Sequence, residues 1–244
     1  MAEQIYWGGK SEAYLSSFQR DQGRTNNCGE YAVAAALSLL RDGRRLDYEA
    51  IVRLADSWTL PLSLLAFGVF GLLTGGGHRL WPGGPTTPRQ QANLALRAAR
   101  ERGMKLKAEV MKGTPELLKD YLRVPTIIAL VTVGWDDTWH PRIFYPTGKL
   151  KVFSPVGEMR IGAAVIRQPF AAHVMLAAAY DETRSFATPE GETGAPWGFV
   201  NSWFDGSTTQ PGRGEIFWMP DEDFRRAWGY KIPGTPNNMV LLSI

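Results

Sequence analysis

The side chain best suited to covalent chemistry is the thiol of Cys28, the single cysteine of the chain. It follows Asn26 and Asn27 and precedes a stretch rich in Ala and Leu, which places it in the first turn of a predicted helix. The free backbone N–H groups and the dipole at a helix start favour a thiolate over a thiol. Cys28 is therefore a candidate nucleophile. The alternative is a small buried apolar residue without chemistry.

A nucleophilic thiol needs a base, and the chain offers three histidines. His78 lies in a loop rich in Gly and Pro, and His140 directly precedes Pro141, so both are predicted to be surface or turn residues. His173 opens an apolar run, residues 174–180, that predicts a buried strand. An imidazole at the mouth of such a strand is held rigidly, which favours His173 as the base. The alternative is a core histidine with one satisfied hydrogen bond.

Two amide side chains complete the candidate site. Asn201 follows the predicted strand 197–200, and its amide oxygen can accept from one imidazole N–H while the other ring nitrogen faces the sulfur. Trp203 is placed to shield that bond from water. Gln22 lies six positions before Cys28, in a loop that a glycine turn can bring beside the sulfur.

The elements that must position these residues divide into two groups. The front half predicts helices over 28–40, from a cap at Asp47, over 88–102, and from Thr114 to a point before Pro125. The back half predicts strands, with a short helix capped by Asp221 between the last two; the strands are 126–133, 151–153, 173–180, 197–203, 215–219 and 239–243. This order predicts a single α+β domain over 1–244, with a helical lobe over about 1–113 and a mostly antiparallel sheet lobe over 114–244.

Together the four side chains resemble the papain-like cysteine peptidase superfamily. The matching stretches are 22–29, 173–180 and 201–203, in the family order Gln, Cys, His, Asn, with the family's spacing from Gln to Cys. Within it, the chain looks most similar to the compact bacterial branch of bacteriocin-leader-processing peptidases, in which a short helix and an apolar strand precede a histidine strand ending in Tyr-Asp. Two features depart from the pattern: Gly29-Glu30-Tyr31 follows the cysteine, and residues 182–196 lengthen the loop before Asn201.

The resemblance implies a cysteine peptidase that forms a thioester acyl-enzyme. Cys28 attacks a carbonyl as a thiolate paired with protonated His173, while Asn201 orients the ring. Gln22 and the Cys28 backbone N–H form the oxyanion hole. Trp81 and Trp203 are expected to contact substrate. The loop over 75–88, which contains Trp81, and the loop over 182–196 are expected to border the cleft.

Two alternatives use the same scaffold. An amidase or acyltransferase would pass the acyl group to an acceptor other than the water used in peptide hydrolysis, through the same site. A non-catalytic binding module would keep the fold without the reaction.

The composition limits the classes of molecule that the protein is expected to bind. The net charge of +3 arises from scattered basic residues, which argues against nucleic acid and leaves a peptide or protein substrate as the expected partner, with the oligomeric state open. One cysteine excludes an intramolecular disulfide. The cysteine and the histidines stand 50, 62 and 33 residues apart, which predicts no metal site, and no cofactor is expected.

Two segments of the sequence bear on where the protein is located in the cell. Residues 1–10 lack the apolar region of a secretory signal, so the expectation is a cytoplasmic protein. The apolar run 60–73 contains Pro61, Gly68 and Gly71, which favours buried helices over a membrane contact.

Overall fold

The computed structural model describes residues 2–23, 25–57, 86–153, 158–161, 164–167, 170–202, 216–232 and 238–244. Its helices within these ranges are α1 (Glu12–Ser16), α2 (Cys28–Leu40), α3 (Tyr48–Asp56), α4 (Pro88–Glu101), α5 (Pro115–Leu122) and α6 (Asp221–Trp228).

The strands in the described ranges are β1 (Gln4–Tyr6), β2 (Lys107–Met111), β3 (Ile127–Trp135), β4 (Arg142–Phe144), β5 (Leu150–Val152), β6 (Glu158–Ile161), β7 (Ala164–Arg167), β8 (Ala171–Asp181), β9 (Ser185–Thr188), β10 (Gly191–Gly194), β11 (Trp197–Val200), β12 (Ile216–Met219) and β13 (Met239–Ser243). The main sheet runs β2-β13-β3-β8-β11-β12-β4-β5, and β1 adds to β8. Each ladder in it is antiparallel. Helices packed on an antiparallel sheet fit the predicted α+β class.

The predicted helices of the front half are confirmed. The helix expected over 28–40 is α2, and Asp47 caps α3 by accepting from the Glu49 backbone N–H. Thr87 and Gln90 form a capping box at the start of α4. The expectation that Asn26 or Asn27 caps α2 is met only in position: Asn27 occupies the N-cap position, but its side chain makes no cap hydrogen bond. At α6 the cap position is Pro220, and Asp221 is the first helical residue.

Helix α2 is the central helix, because every residue from Gly29 to Leu40 is buried. It packs against α3, α4, β3 and β8. Small side chains permit this close approach: a Cβ on Gly29 would lie 2.1 Å from Thr86 Oγ1. Gly29 thus permits a close approach to the segment just before α4, while the contacts with β3 and β8 place α2, which begins at Cys28, on the sheet.

Strand β8 is the central strand of the sheet. Its residues 171–176 pair with β3, its residues 176–180 pair with β11, and its last three residues pair with β1. Since β11 ends where Val200 pairs with Leu176, residues 171–175 have no strand partner on that side among the described residues. This opening is where α2 begins.

The sheet curls strongly. Strand β5 stands five places from β3 in the strand order, yet Phe153, directly after β5, packs its ring 4.7 Å from that of Trp135 at the end of β3. A flat sheet would separate strands five places apart by about 24 Å. Curling therefore returns the end of β5 to the beginning of β8.

Three features depart from the sequence-based expectation. Strands β1 and β2 lie in the range predicted as a helical lobe, but both join the main sheet. The predicted loop 182–196 contains the hairpin formed by β9 and β10. The boundary between a helical lobe and a sheet lobe at residue 114 otherwise stays a prediction.

The apolar run 60–73 lies outside the described residues, and none of the described helices has the length and apolarity to cross a bilayer.

The capping box at Thr87 is expected to stabilise α4, the helix that packs against α2. Thr87 accepts from the Gln90 backbone N–H, and Gln90 accepts from the Thr87 backbone N–H. We expect Thr87→Ala to lower the free energy of unfolding by about 1 kcal/mol, measured by urea denaturation. Thr87→Ser keeps the acceptor and is expected to unfold within a few tenths of a kcal/mol of the wild type; an equal loss in both variants would contradict the assignment.

Candidate active site

The best-defined polar contact of the site joins His173 to Asn201. His173 Nε2 lies 2.5 Å from Asn201 Oδ1, and the two residues are 1% and 2% exposed. An amide oxygen only accepts, so Nε2 carries the proton and donates. His173 stands on the unpaired part of β8, and Asn201 directly follows β11, the strand that covers the rest of β8 on that side. The sheet register therefore fixes both members of the pair.

The thiol of Cys28 lies beside the same strand. The backbone N–H groups of Val174, the residue after His173, and of Gly29 and Cys28 itself lie near enough to the sulfur to favour a thiolate. The start of α2 thus occupies the opening that β11 leaves along β8. Cys28 as a whole is half-buried.

Burial raises the pKa of the Cys28 thiol to about 11, and the negative charge of buried Glu30 adds to the rise. The three backbone N–H groups act in the opposite direction, because they stabilise a thiolate. They do not outweigh the loss of water. Cys28 is therefore a neutral thiol at pH 7.

Burial also lowers the pKa of the His173 imidazole, to about 4. The hydrogen bond to Asn201 opposes this fall, and the positive charge of Lys151 adds to it. The ion pair implied by the resemblance is thus not the resting state: both groups are neutral at pH 7, because little water reaches them to solvate charges.

Gln22 lies on the other side of Asn201. Its Nε2 donates to the Thr25 carbonyl oxygen at 2.5 Å, its Oε1 accepts from the Ser202 hydroxyl, and its backbone N–H donates to the Ser202 carbonyl oxygen at 2.8 Å. Gln22 is 7% exposed. The loop before α2 is thereby fastened to the residue that follows Asn201.

A small cleft adjoins this network. Its wall combines aromatic rings with residues of α2, of β8, and of the end of β11 and the segment after it, namely Phe18, Arg20, Tyr31, Ala32, Ala35, Tyr48, Val174, Val200, Asn201 and Ser202. Asn201 Nδ2 is buried and has no hydrogen-bond partner among the described residues. The residues that line the cleft therefore include this asparagine and several aromatic side chains.

Sequence reasoning missed two neighbours of His173. The ring of Phe153 meets that of His173 edge to face, with centroids 5.8 Å apart, and Lys151 is close enough for its charge to act on the imidazole. Both were assigned only to a strand, 151–153. No local signal marks them, because the curl of the sheet brings them to the site.

Trp81 and Trp203, predicted to contact substrate, lie outside the described residues, as does His78. In the described part of the chain, no cluster of three His, Cys, Asp or Glu side chains forms a candidate metal site.

Comparison with known proteins gives a structural match. No protein-family model matches the chain, and no curated protein sequence does. Fourteen chains of solved structure match it. One of them is a C39-like peptidase candidate from Bacillus anthracis, with a TM-score of 0.50 and 10% sequence identity over 99% of this chain and 98% of that chain. At that identity the match shows a shared fold, and it extends over both chains almost completely.

The buried imidazole predicts a pH dependence of stability. An unfolded histidine titrates near 6.5, whereas His173 titrates near 4 in the fold, so the fold favours the neutral ring. The resulting contribution of about 3 kcal/mol is complete above pH 6.5 and is lost as the pH falls towards 4. Urea unfolding at pH 7 and at pH 4.5 measures it.

The control is the pair of variants His173→Gln and His140→Gln. We expect His173→Gln to lose much of the difference in unfolding free energy between the two pH values, and His140→Gln to keep it. A wild-type pH dependence in both variants would rule out the buried neutral imidazole.

Proposed function

We propose that this protein is a thiol-dependent hydrolase of peptide or amide bonds, with Cys28 as nucleophile, His173 as base, and Asn201 and Gln22 in support. The observation that carries the proposal is the buried bond from His173 Nε2 to Asn201 Oδ1, together with the position of the Cys28 sulfur near the backbone N–H of Val174, the residue next to His173. The fold shared with a C39-like peptidase candidate supports it. The expected partner is a peptide or protein substrate, and no cofactor takes part.

The reaction starts from the neutral pair. Nδ1 of His173 accepts the thiol proton as the Cys28 sulfur attacks the carbonyl carbon, and the carbonyl π electrons move to oxygen. The imidazolium then protonates the leaving amine as the C–N bond breaks, which gives a thioester. Water attacks the thioester, His173 takes its proton, and the thiol is restored. Asn201 holds the ring by Nε2 throughout, so only Nδ1 exchanges protons.

The oxyanion would be stabilised by the N–H groups that already surround the sulfur and by the second N–H of the Gln22 amide. Ser202 and Thr25 hold that amide in one orientation. Preorganised donors in a site with little water are effective because they need not reorient when charge develops.

The test is alkylation of Cys28 by iodoacetamide and by an epoxysuccinyl reagent, with Cys28→Ser as the blank. If His173 activates the thiol, the rate constant falls as the imidazole is protonated near pH 4, is nearly flat from about pH 5 to pH 10, and rises again only as the thiol itself ionises near pH 11. An unassisted thiol would instead react about tenfold faster with each pH unit up to its pKa.

Removal of the base provides the matched control. We expect His173→Ala to give the steep profile of an unassisted thiol, and His140→Ala to keep the flat one. A steep wild-type profile that His173→Ala leaves unchanged would refute the proposal.

The role of Gln22 is tested by turnover. We expect Gln22→Ala to lower kcat by about 10²–10³-fold, since one oxyanion donor is removed. Thermal denaturation of Gln22→Ala and Gln22→Glu separates lost catalysis from a loosened loop. Unchanged kcat in a folded Gln22→Ala protein would remove Gln22 from the oxyanion hole.

A second candidate is a non-catalytic binding module on the same scaffold. The neutral state of both Cys28 and His173 at pH 7 favours it, because no reactive thiolate exists before a ligand arrives. The alkylation profile distinguishes the two, since a binding module needs no activated thiol.

A further inference from the structure

Strand β5 ends the main sheet, and its outer edge carries no other strand among the described residues. Two hydrogen bonds fix which backbone groups face that edge: Tyr145 N–H donates to the Lys149 carbonyl oxygen, and Phe153 N–H donates to the Pro141 carbonyl oxygen. Hydrogen-bonded and non-hydrogen-bonded pairs alternate along an antiparallel ladder, so the pair formed by Lys151 and Ile143 is also hydrogen-bonded. Lys151 therefore turns its backbone groups towards β4.

Leu150 and Val152, on either side of Lys151, consequently turn their N–H and C=O groups to the free edge. Their side chains are 41% and 46% exposed, and only Ile244 joins them as an exposed large apolar residue in the described part of the chain. An unpaired edge with exposed apolar side chains is a template for another strand. Edges of this kind bind extended peptides by adding them to the sheet.

The same strand leads directly into the candidate active site. Phe153 contacts the His173 ring, and the charge of Lys151 reaches the imidazole. Lys151 and Phe153 share one side of the extended segment, whereas Leu150 and Val152 share the other, because side chains alternate along a strand. A peptide paired with β5 would therefore pass beside the site.

We propose that the free edge of β5 binds the substrate peptide as an added antiparallel strand, with an acidic side chain opposite Lys151 and apolar side chains opposite Leu150 and Val152. This inference rests on the proposed function and names its substrate class: an extended acidic-apolar peptide. The position opposite Lys151 would be a non-hydrogen-bonded pair, in which facing side chains approach most closely. Lys149, on the same side as Lys151, adds to the positive charge.

The experiment uses three epoxysuccinyl peptides, ending in Val-Glu-Val, Val-Gln-Val and Val-Lys-Val, and measures the rate constant of Cys28 alkylation in the full chain. We expect the Glu peptide to react about fivefold faster than the Lys peptide, the range of one cross-strand charge pair. Lys151→Gln should remove this preference and Lys151→Arg should keep it.

Proline provides the test of strand addition. Val152→Pro removes one outward N–H and leaves the ladder to β4 intact, so we expect all three peptides to react about fivefold more slowly. Val152→Thr keeps the N–H and should keep most of the rate. Iodoacetamide, which needs no strand pairing, should react equally with the wild type, Val152→Pro and Val152→Thr; this equality also shows that Val152→Pro is folded.

The outcomes separate this inference from the proposed function. Equal rates for the three peptides and no effect of Val152→Pro, with a flat iodoacetamide profile, would overturn the β5 site alone. Absence of activated alkylation would overturn the proposed function; amide hydrogen exchange of residues 149–153 with the free Val-Glu-Val amide would then decide the strand pairing by itself. A wild-type dimer that Val152→Pro converts to a monomer in sedimentation would assign the edge to a second copy of the chain and overturn the proposal.

Discussion

The hydrogen bond between His173 and Asn201 is the constraint on which the site depends. It is formed inside the protein, where an unsatisfied imidazole or amide is costly, and both partners are held by adjacent strands of one sheet. Because Asn201 accepts from Nε2, the protein fixes the tautomer and leaves chemistry to Nδ1. The strand pairing of β8 with β11 thereby determines which nitrogen of the His173 ring can exchange a proton.

The same pairing creates the opening in which the thiol lies. Strand β11 stops opposite Leu176, and the start of α2 fills the space along the first residues of β8. Close packing has an electrostatic consequence: it keeps Cys28 and His173 neutral, despite the N–H groups around the sulfur. Both groups are neutral in the resting state, so in the proposed reaction proton transfer would be coupled to attack on the carbonyl.

The curl of the sheet links the site to a distant part of the chain. Phe153 and Lys151 reach His173 only because β5 returns towards the beginning of β8. The strand whose outer edge is free is thus also the strand that borders the imidazole. Binding and chemistry would share one structural element, which is how an extended substrate can be recognised by backbone pairing and positioned by the same contacts.

Short-range patterns in the sequence were enough to predict the local elements and to select the candidate residues. The Ala-rich run after Cys28, the cap at Asp47 and the apolar strand after His173 depend on near neighbours, and each was predicted correctly. Long-range packing sets the protonation states, the partners of Gln22, the entry of β1 and β2 into the sheet, and the approach of Lys151 and Phe153 to His173. These depend on burial and on strand order, which join residues far apart in the chain and leave no periodic signal within it.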